Sequence, residues 1–123
     1  MDQPAPLYTR ESANALLGVV RERLVRLRDA YAELAGRRAS AASRASSNGG
    51  GHGGAAGEAT DAAREELAWF EARGIVVRDI EQGLIDFPGR REGREIYLCW
   101  RFGEEAVDFW HTPETGFPGR QPL

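Results

Sequence analysis

The 123-residue chain predicts an α+β fold in which an N-terminal antiparallel helical hairpin precedes a small antiparallel β-meander of three or four strands. Three observations point there. Apolar residues recur at spacings of three and four through the first third of the chain. A serine- and glycine-rich run, Ser46 to Gly54, then interrupts the pattern. From Ile75 onward, short β-branched and aromatic stretches are separated by glycine-bearing turns.

The first helix is expected over 9–45. Thr9 is the N-cap, with Glu11 in the first turn where its carboxylate meets the positive end of the helix dipole. Ser12 stands where Glu or Gln would close a capping box, so the box reads as incomplete. Ala13, Leu16, Leu17, Val20, Leu24, Leu27, Tyr31 and Leu34 draw one apolar stripe. Residues 46–57 read as a flexible loop, because a Gly/Ser run has high chain entropy and nothing to bury. His52 within it is a lone histidine, which reads as solvated filler rather than a metal-binding tract.

A second helix is expected over 58–73, offering Ala63, Leu67 and Phe70 on one face with Trp69 beside it. Gly74 is the left-handed stop, and Ile75 is placed for the apolar contact that accompanies it. The two helices leave an open apolar seam that must meet the sheet, a second copy of the chain, or both.

The sheet is expected over 75–111 as two hairpins, 75–80 with 84–87 and 94–102 with 106–111, Pro88-Gly89 ending the second strand. Residues 112–123 form a tail. If Phe102 faces Glu105, then Ile96, Leu98 and Trp100 lie opposite His111, Phe109 and Val107 on the core face. Tyr97, Cys99 and Arg101 then lie opposite Trp110, Asp108 and Ala106 on the other.

Size and composition suit one domain. No apolar run approaches the roughly 20 residues that span a bilayer. The start, Met1-Asp2-Gln3-Pro4, lacks a secretory pattern, so the cytoplasm is expected. A single cysteine, Cys99, excludes an internal disulfide. All 16 basic residues are arginine; residues 1–47 carry a formal charge of +3 and residues 48–123 carry −6. A net charge of −3 argues against nucleic acid as the partner.

Several motifs carry a family resemblance. They are Tyr8-Thr9, Asn14-Ala15-Leu16-Leu17, Gly83-Leu84-Ile85-Asp86-Phe87-Pro88, Tyr97-Leu98-Cys99-Trp100-Arg101, Gly103-Glu104, Trp110-His111 and the terminal Gly116 to Leu123. Across nearly the whole chain they resemble a prokaryotic family known as domain of unknown function 2203. Gly18 stands where that family has proline, and the Gly49 to Gly54 run is longer than usual. The resemblance implies no activity, substrate or catalytic residue.

Two chemical constellations follow from the residues. Tyr97, Arg101, Asp108 and Trp110, with Arg120 folded back from the tail toward Asp108 or Glu104, form a mixed aromatic and charged face suited to a ligand or protein partner. Asp79, Asp86, Glu104 and His111 are a carboxylate and histidine set suited to a divalent metal, though at no signature spacing. The bland alternative is cross-strand ion pairing of Arg78 with Asp86 and of Arg101 with Asp108. His111 at the end of the core face would meet Asp79 as a buried peg. Cys99 reads as an inert small hydrophobe. No phosphate-cradling glycine motif opens a helix. The first expectation is therefore a non-catalytic, self-associating ligand- or protein-binding module, most simply a homo-oligomer. The alternative is a small metal-assisted enzyme; beyond a divalent metal in that second reading, no cofactor is implied.

Overall fold

Thr9 and Ser12 cap the first helix reciprocally. The Ser12 amide donates to Thr9 Oγ1 at 3.1 Å, and the Thr9 amide donates to Ser12 Oγ at 2.8 Å. The box expected to be incomplete is thus closed by a serine hydroxyl in the role of the usual carboxylate. The computed structural model of the chain describes residues 7–43 and 53–123. Helix α1 spans Arg10–Ser43 and α2 spans Gly53–Ala72.

Helix α2 starts earlier than expected. Gly53 to Gly57, read from sequence as loop, are already helical, continuous with an alanine-rich first half whose propensity outweighs the glycine penalty of about 1 kcal/mol each. Ser46 to His52 lie outside the described residues. The helix ends in a Schellman motif: Gly74 sits at φ 70°, its amide donates to Glu71 O, and the Ile75 amide donates to Phe70 O, each at 3.0 Å. Ile75 and Phe70 are both buried, supplying the expected apolar contact.

A five-stranded antiparallel meander follows, one or two strands more than expected. Its strands are β1 (Val76–Asp79), β2 (Leu84–Arg91), β3 (Arg94–Arg101), β4 (Phe109–His111) and β5 (Gln121–Pro122), in sequential order. Strand β2 runs through Pro88 to Arg91 instead of stopping at Pro88. Pro88 costs the ladder nothing because its amide edge points away from β3, where its carbonyl accepts the Tyr8 amide at 2.8 Å. The β2–β3 hairpin then closes on Glu92 (φ 51°) and Gly93 (φ 77°), the two positive-φ positions of a type I′ turn. The tail supplies β5.

The core lies between the helices and one sheet face. Ala13, Leu17, Val20, Leu24 and Leu27 of α1 and Phe70 of α2 meet Ile85, Phe87, Ile96, Leu98 and Trp100, as the stripe and strand alternation require. Two helix residues differ from expectation. On α2, Leu67 is 38% exposed at the edge while Glu66 takes the seam position, buried and paired with Arg23 at 3.3 Å. On α1, Tyr31 lies on the stripe yet is 40% exposed. At 1.5 Å per residue, α1 is about 51 Å long, so its C-terminal half outruns the sheet.

The largest correction is the β3–β4 register. Tyr97 pairs with His111, Leu98 with Trp110 and Cys99 with Phe109, one residue displaced from the alignment expected from sequence. Residues 102–108 are not a tight hairpin. The Glu104 amide closes a turn on Arg101 O at 3.0 Å, and Asn14 of α1 then draws the loop away from β3. Asn14 Oδ1 accepts the Val107 amide at 2.7 Å and its Nδ2 donates to Val107 O at 3.2 Å. A long loop clamped by another element has no turn-type rule to set its register.

Candidate functional site

Because side chains alternate across the pleat, the one-residue shift carries His111 from the helix-packed face to the opposite one. There it joins Asp86 of β2 and Cys99 of β3, which pair directly across the β2–β3 ladder. All three are buried although the helices lie on the other side: Asp86 is 1% exposed, Cys99 0% and His111 3%.

The hydrogen bonds fix each group. His111 Nδ1 lies 2.7 Å from Thr112 O, and a carbonyl only accepts, so Nδ1 carries a proton and donates it there. His111 Nε2 lies 2.9 Å from Asp86 Oδ1, with one proton between them. Asp86 Oδ2 accepts from Arg78 Nε at 2.9 Å, and the Arg78 guanidinium stacks on the Tyr97 ring at 4.9 Å. That ring is 5.7 Å from the His111 ring, centroid to centroid. The pair expected between Arg78 and Asp86 is therefore present, with His111 as a third member in place of the expected His111–Asp79 contact.

A second polar knot adjoins the first. Arg120 forks onto Glu104, Nη1 to Oε1 at 3.0 Å and Nη2 to Oε2 at 2.9 Å, which sets its positive charge near the Cys99 thiol. Its guanidinium lies over the rings of Phe109 (4.1 Å) and Phe117 (4.3 Å). The tail thereby roofs the cluster. Burial, reinforced by the nearby Asp86 charge, pushes the Cys99 thiol up to about 12, so it stays protonated and non-nucleophilic at neutral pH. No buried side-chain nitrogen or oxygen among the described residues lacks a hydrogen-bond partner.

The residues proposed from sequence do not gather as expected. Tyr97 and Arg101 lie on the cluster's face, with Arg101 exposed, whereas Trp110 packs on the helix side with Arg91 over its ring at 4.7 Å. Asp108 precedes β4 and pairs with Arg10 of α1 at 2.7 Å, not with Arg101. Of the five, Tyr97 packs against His111 and Arg78, and Arg120 lies near Cys99. In the metal set, Asp86 and His111 meet, but Asp79 Oδ1 accepts the Gln82 amide at 3.0 Å in the β1–β2 turn. Glu104 Oε1 accepts the Arg101 amide at 2.7 Å besides holding Arg120. Both missing partners cap turns near their own positions, the commonest use of acidic residues in loops. Sequence reasoning missed Cys99 as a cluster member and Asn14 as the clamp. Asn14 stands inside a quoted family motif, a signal that carried no structural meaning until the register was known.

These features define a two-layer α+β protein with a sealed polar cluster on the sheet face away from its helices. The chain belongs to the DUF2203 family of uncharacterized conserved proteins, whose match extends over residues 6–123. No curated protein and no solved structure matches it. Among the described residues, no helix is long and apolar enough to cross a membrane.

Proposed function

We propose that the chain is a single-domain, non-catalytic interaction module that self-associates in the cytoplasm. The observation that carries this reading is a group of exposed apolar side chains, set among Arg28, Asp29, Arg78, Asp79 and Glu81, where α1 passes the β1–β2 turn. Val25 (40% exposed), Tyr31, Leu67 and Phe102 (37% exposed) border two adjoining hollows of about 600 and 440 Å³ that share Tyr31, Ile80 and Glu81. Large apolar side chains grouped on one surface favour a protein partner over water. Of these, Tyr31 continues the α1 stripe that packs the helix on its own sheet, so a second copy offers matching chemistry.

The cluster of Asp86, Cys99 and His111 supports a non-catalytic reading from the other side. A general base must reach a substrate proton and a nucleophile must be ionised, whereas this imidazole is bonded at both nitrogens and this thiol is protonated and covered. Asp79 and Glu104, engaged in turns, lend little to a four-residue metal enzyme.

Sedimentation velocity across a wide concentration range is the test. The wild-type chain is expected to associate, and a Tyr31→Glu/Leu67→Glu double variant that keeps its circular dichroism is expected to be monomeric. A wild-type chain that stays monomeric throughout overturns the proposal.

A further inference from the structure

Among the described residues, three chemically different donors converge within the sealed cluster: a carboxylate oxygen of Asp86, Sγ of Cys99 and an imidazole nitrogen of His111, all within 4.8 Å of one another. We propose that they form a binding site for one divalent cation of the zinc type, held by Asp86 Oδ1, Cys99 Sγ and His111 Nε2.

The donor set selects the ion. Thiolate, imidazole and carboxylate are the three protein ligands that zinc uses, and three of them leave one tetrahedral position for water. Magnesium and calcium need six or more oxygens in their shell and have no use for a thiolate.

The surroundings are arranged as an outer shell around such an ion. His111 is fixed through Nδ1 to the Thr112 carbonyl at 2.7 Å, which turns Nε2 to the cluster. Asp86 is fixed through Oδ2 to Arg78 at 2.9 Å, which leaves Oδ1. Arg120, forked on Glu104, sets its positive charge near Cys99. The three ligands come from adjacent strands of one ladder, so their backbone spacing is set by the sheet rather than by a loop.

The charge balance removes the objection that two guanidinium groups stand nearby. Binding a dication displaces the thiol proton and the one proton held between His111 Nε2 and Asp86 Oδ1. Two positive charges leave as two arrive, and Arg78 and Arg120 face the same net charge before and after.

Cobalt(II) titration of the full-length, tag-free, chelator-stripped chain tests the site. Cys99 is the chain's single cysteine, so a thiolate-to-cobalt charge-transfer band in the near ultraviolet reports this position and no other. One equivalent of Co²⁺ is expected to produce that band together with intense tetrahedral d–d bands, and zinc is expected to abolish both. In His111→Gln and Asp86→Asn variants that retain wild-type circular dichroism, the cobalt affinity is expected to fall by more than about tenfold. A folded wild-type chain that gives no thiolate band under excess Co²⁺ overturns the proposal whether or not the variants fold. A band of unchanged affinity in both folded variants overturns it too.

Discussion

His111 Nε2 reaches 2.9 Å from Asp86 Oδ1 across the whole width of β3, joining two strands that do not touch. The contact stitches β4, a strand of three residues, to the long β2–β3 hairpin from the face that the helices leave uncovered.

Removing the imidazole leaves Asp86 with Arg78 as its one remaining side-chain partner among the described residues. His111→Ala is expected to destabilise the fold by about 2–4 kcal/mol, since Asp86 Oδ1 then stands buried and unpaired beside a cavity. Arg78→Ala strands Asp86 Oδ2, whose side chain is 2% exposed, but Arg78 is itself 44% exposed and water can take its place, so the expected cost is smaller than that of His111→Ala. Urea midpoints at constant m-value measure both. A His111→Ala cost within about 0.5 kcal/mol of zero contradicts the assignment.

Cys99 makes stability depend on alkaline pH in the metal-free protein. Its thiol is raised from an ordinary 9.0 to about 12 in the fold, chiefly by burial and then by Asp86. Between those values the unfolded chain has lost a proton that the folded chain keeps, so stability is intact below about 9 and falls as pH rises toward 12. Chemical denaturation from pH 8 to pH 11 is expected to show that decline, and Cys99→Ala to flatten its thiol-dependent part. At pH 8 a disulfide reagent is expected to label the wild type in denaturant and not in buffer.

Two turn positions are expected to respond in opposite directions. Gly83 sits at φ 67°, where a Cβ would collide with Phe102 Cβ, so Gly83→Ala is expected to lose upwards of about 2 kcal/mol. Glu92 holds φ 51° in a turn that prefers Asn-Gly, so Glu92→Asn is expected to add about 0.5–1 kcal/mol. Thermal unfolding of each variant checks the signs.

Legibility tracked how local the determining interaction is. The α1 stripe, the Gly74 stop and the β2 and β3 alternation are written in residues that touch near neighbours in sequence, and they appear where periodicity places them. Tyr31 and Leu67 kept the right period but met water, because how far a helix outruns its sheet is a property of the whole fold. The β3–β4 register was illegible for a sharper reason. It depends on Asn14 clamping Val107 from 93 residues away, and a two-residue turn at Gly103-Glu104 was the natural local reading. That one shift moved His111 from a neighbour of Ile96 to a neighbour of Cys99 and separated Trp110 from Tyr97.

The pairing of β3 with β4 underlies both the sealed cluster and the cation site, and nuclear Overhauser contacts across these strands in the full-length chain test it most directly. Backbone contacts of Tyr97 with His111 and of Cys99 with Phe109 are the expected result. Contacts of Ile96 with His111 and of Leu98 with Phe109 would return His111 to the helix-packed face and contradict it.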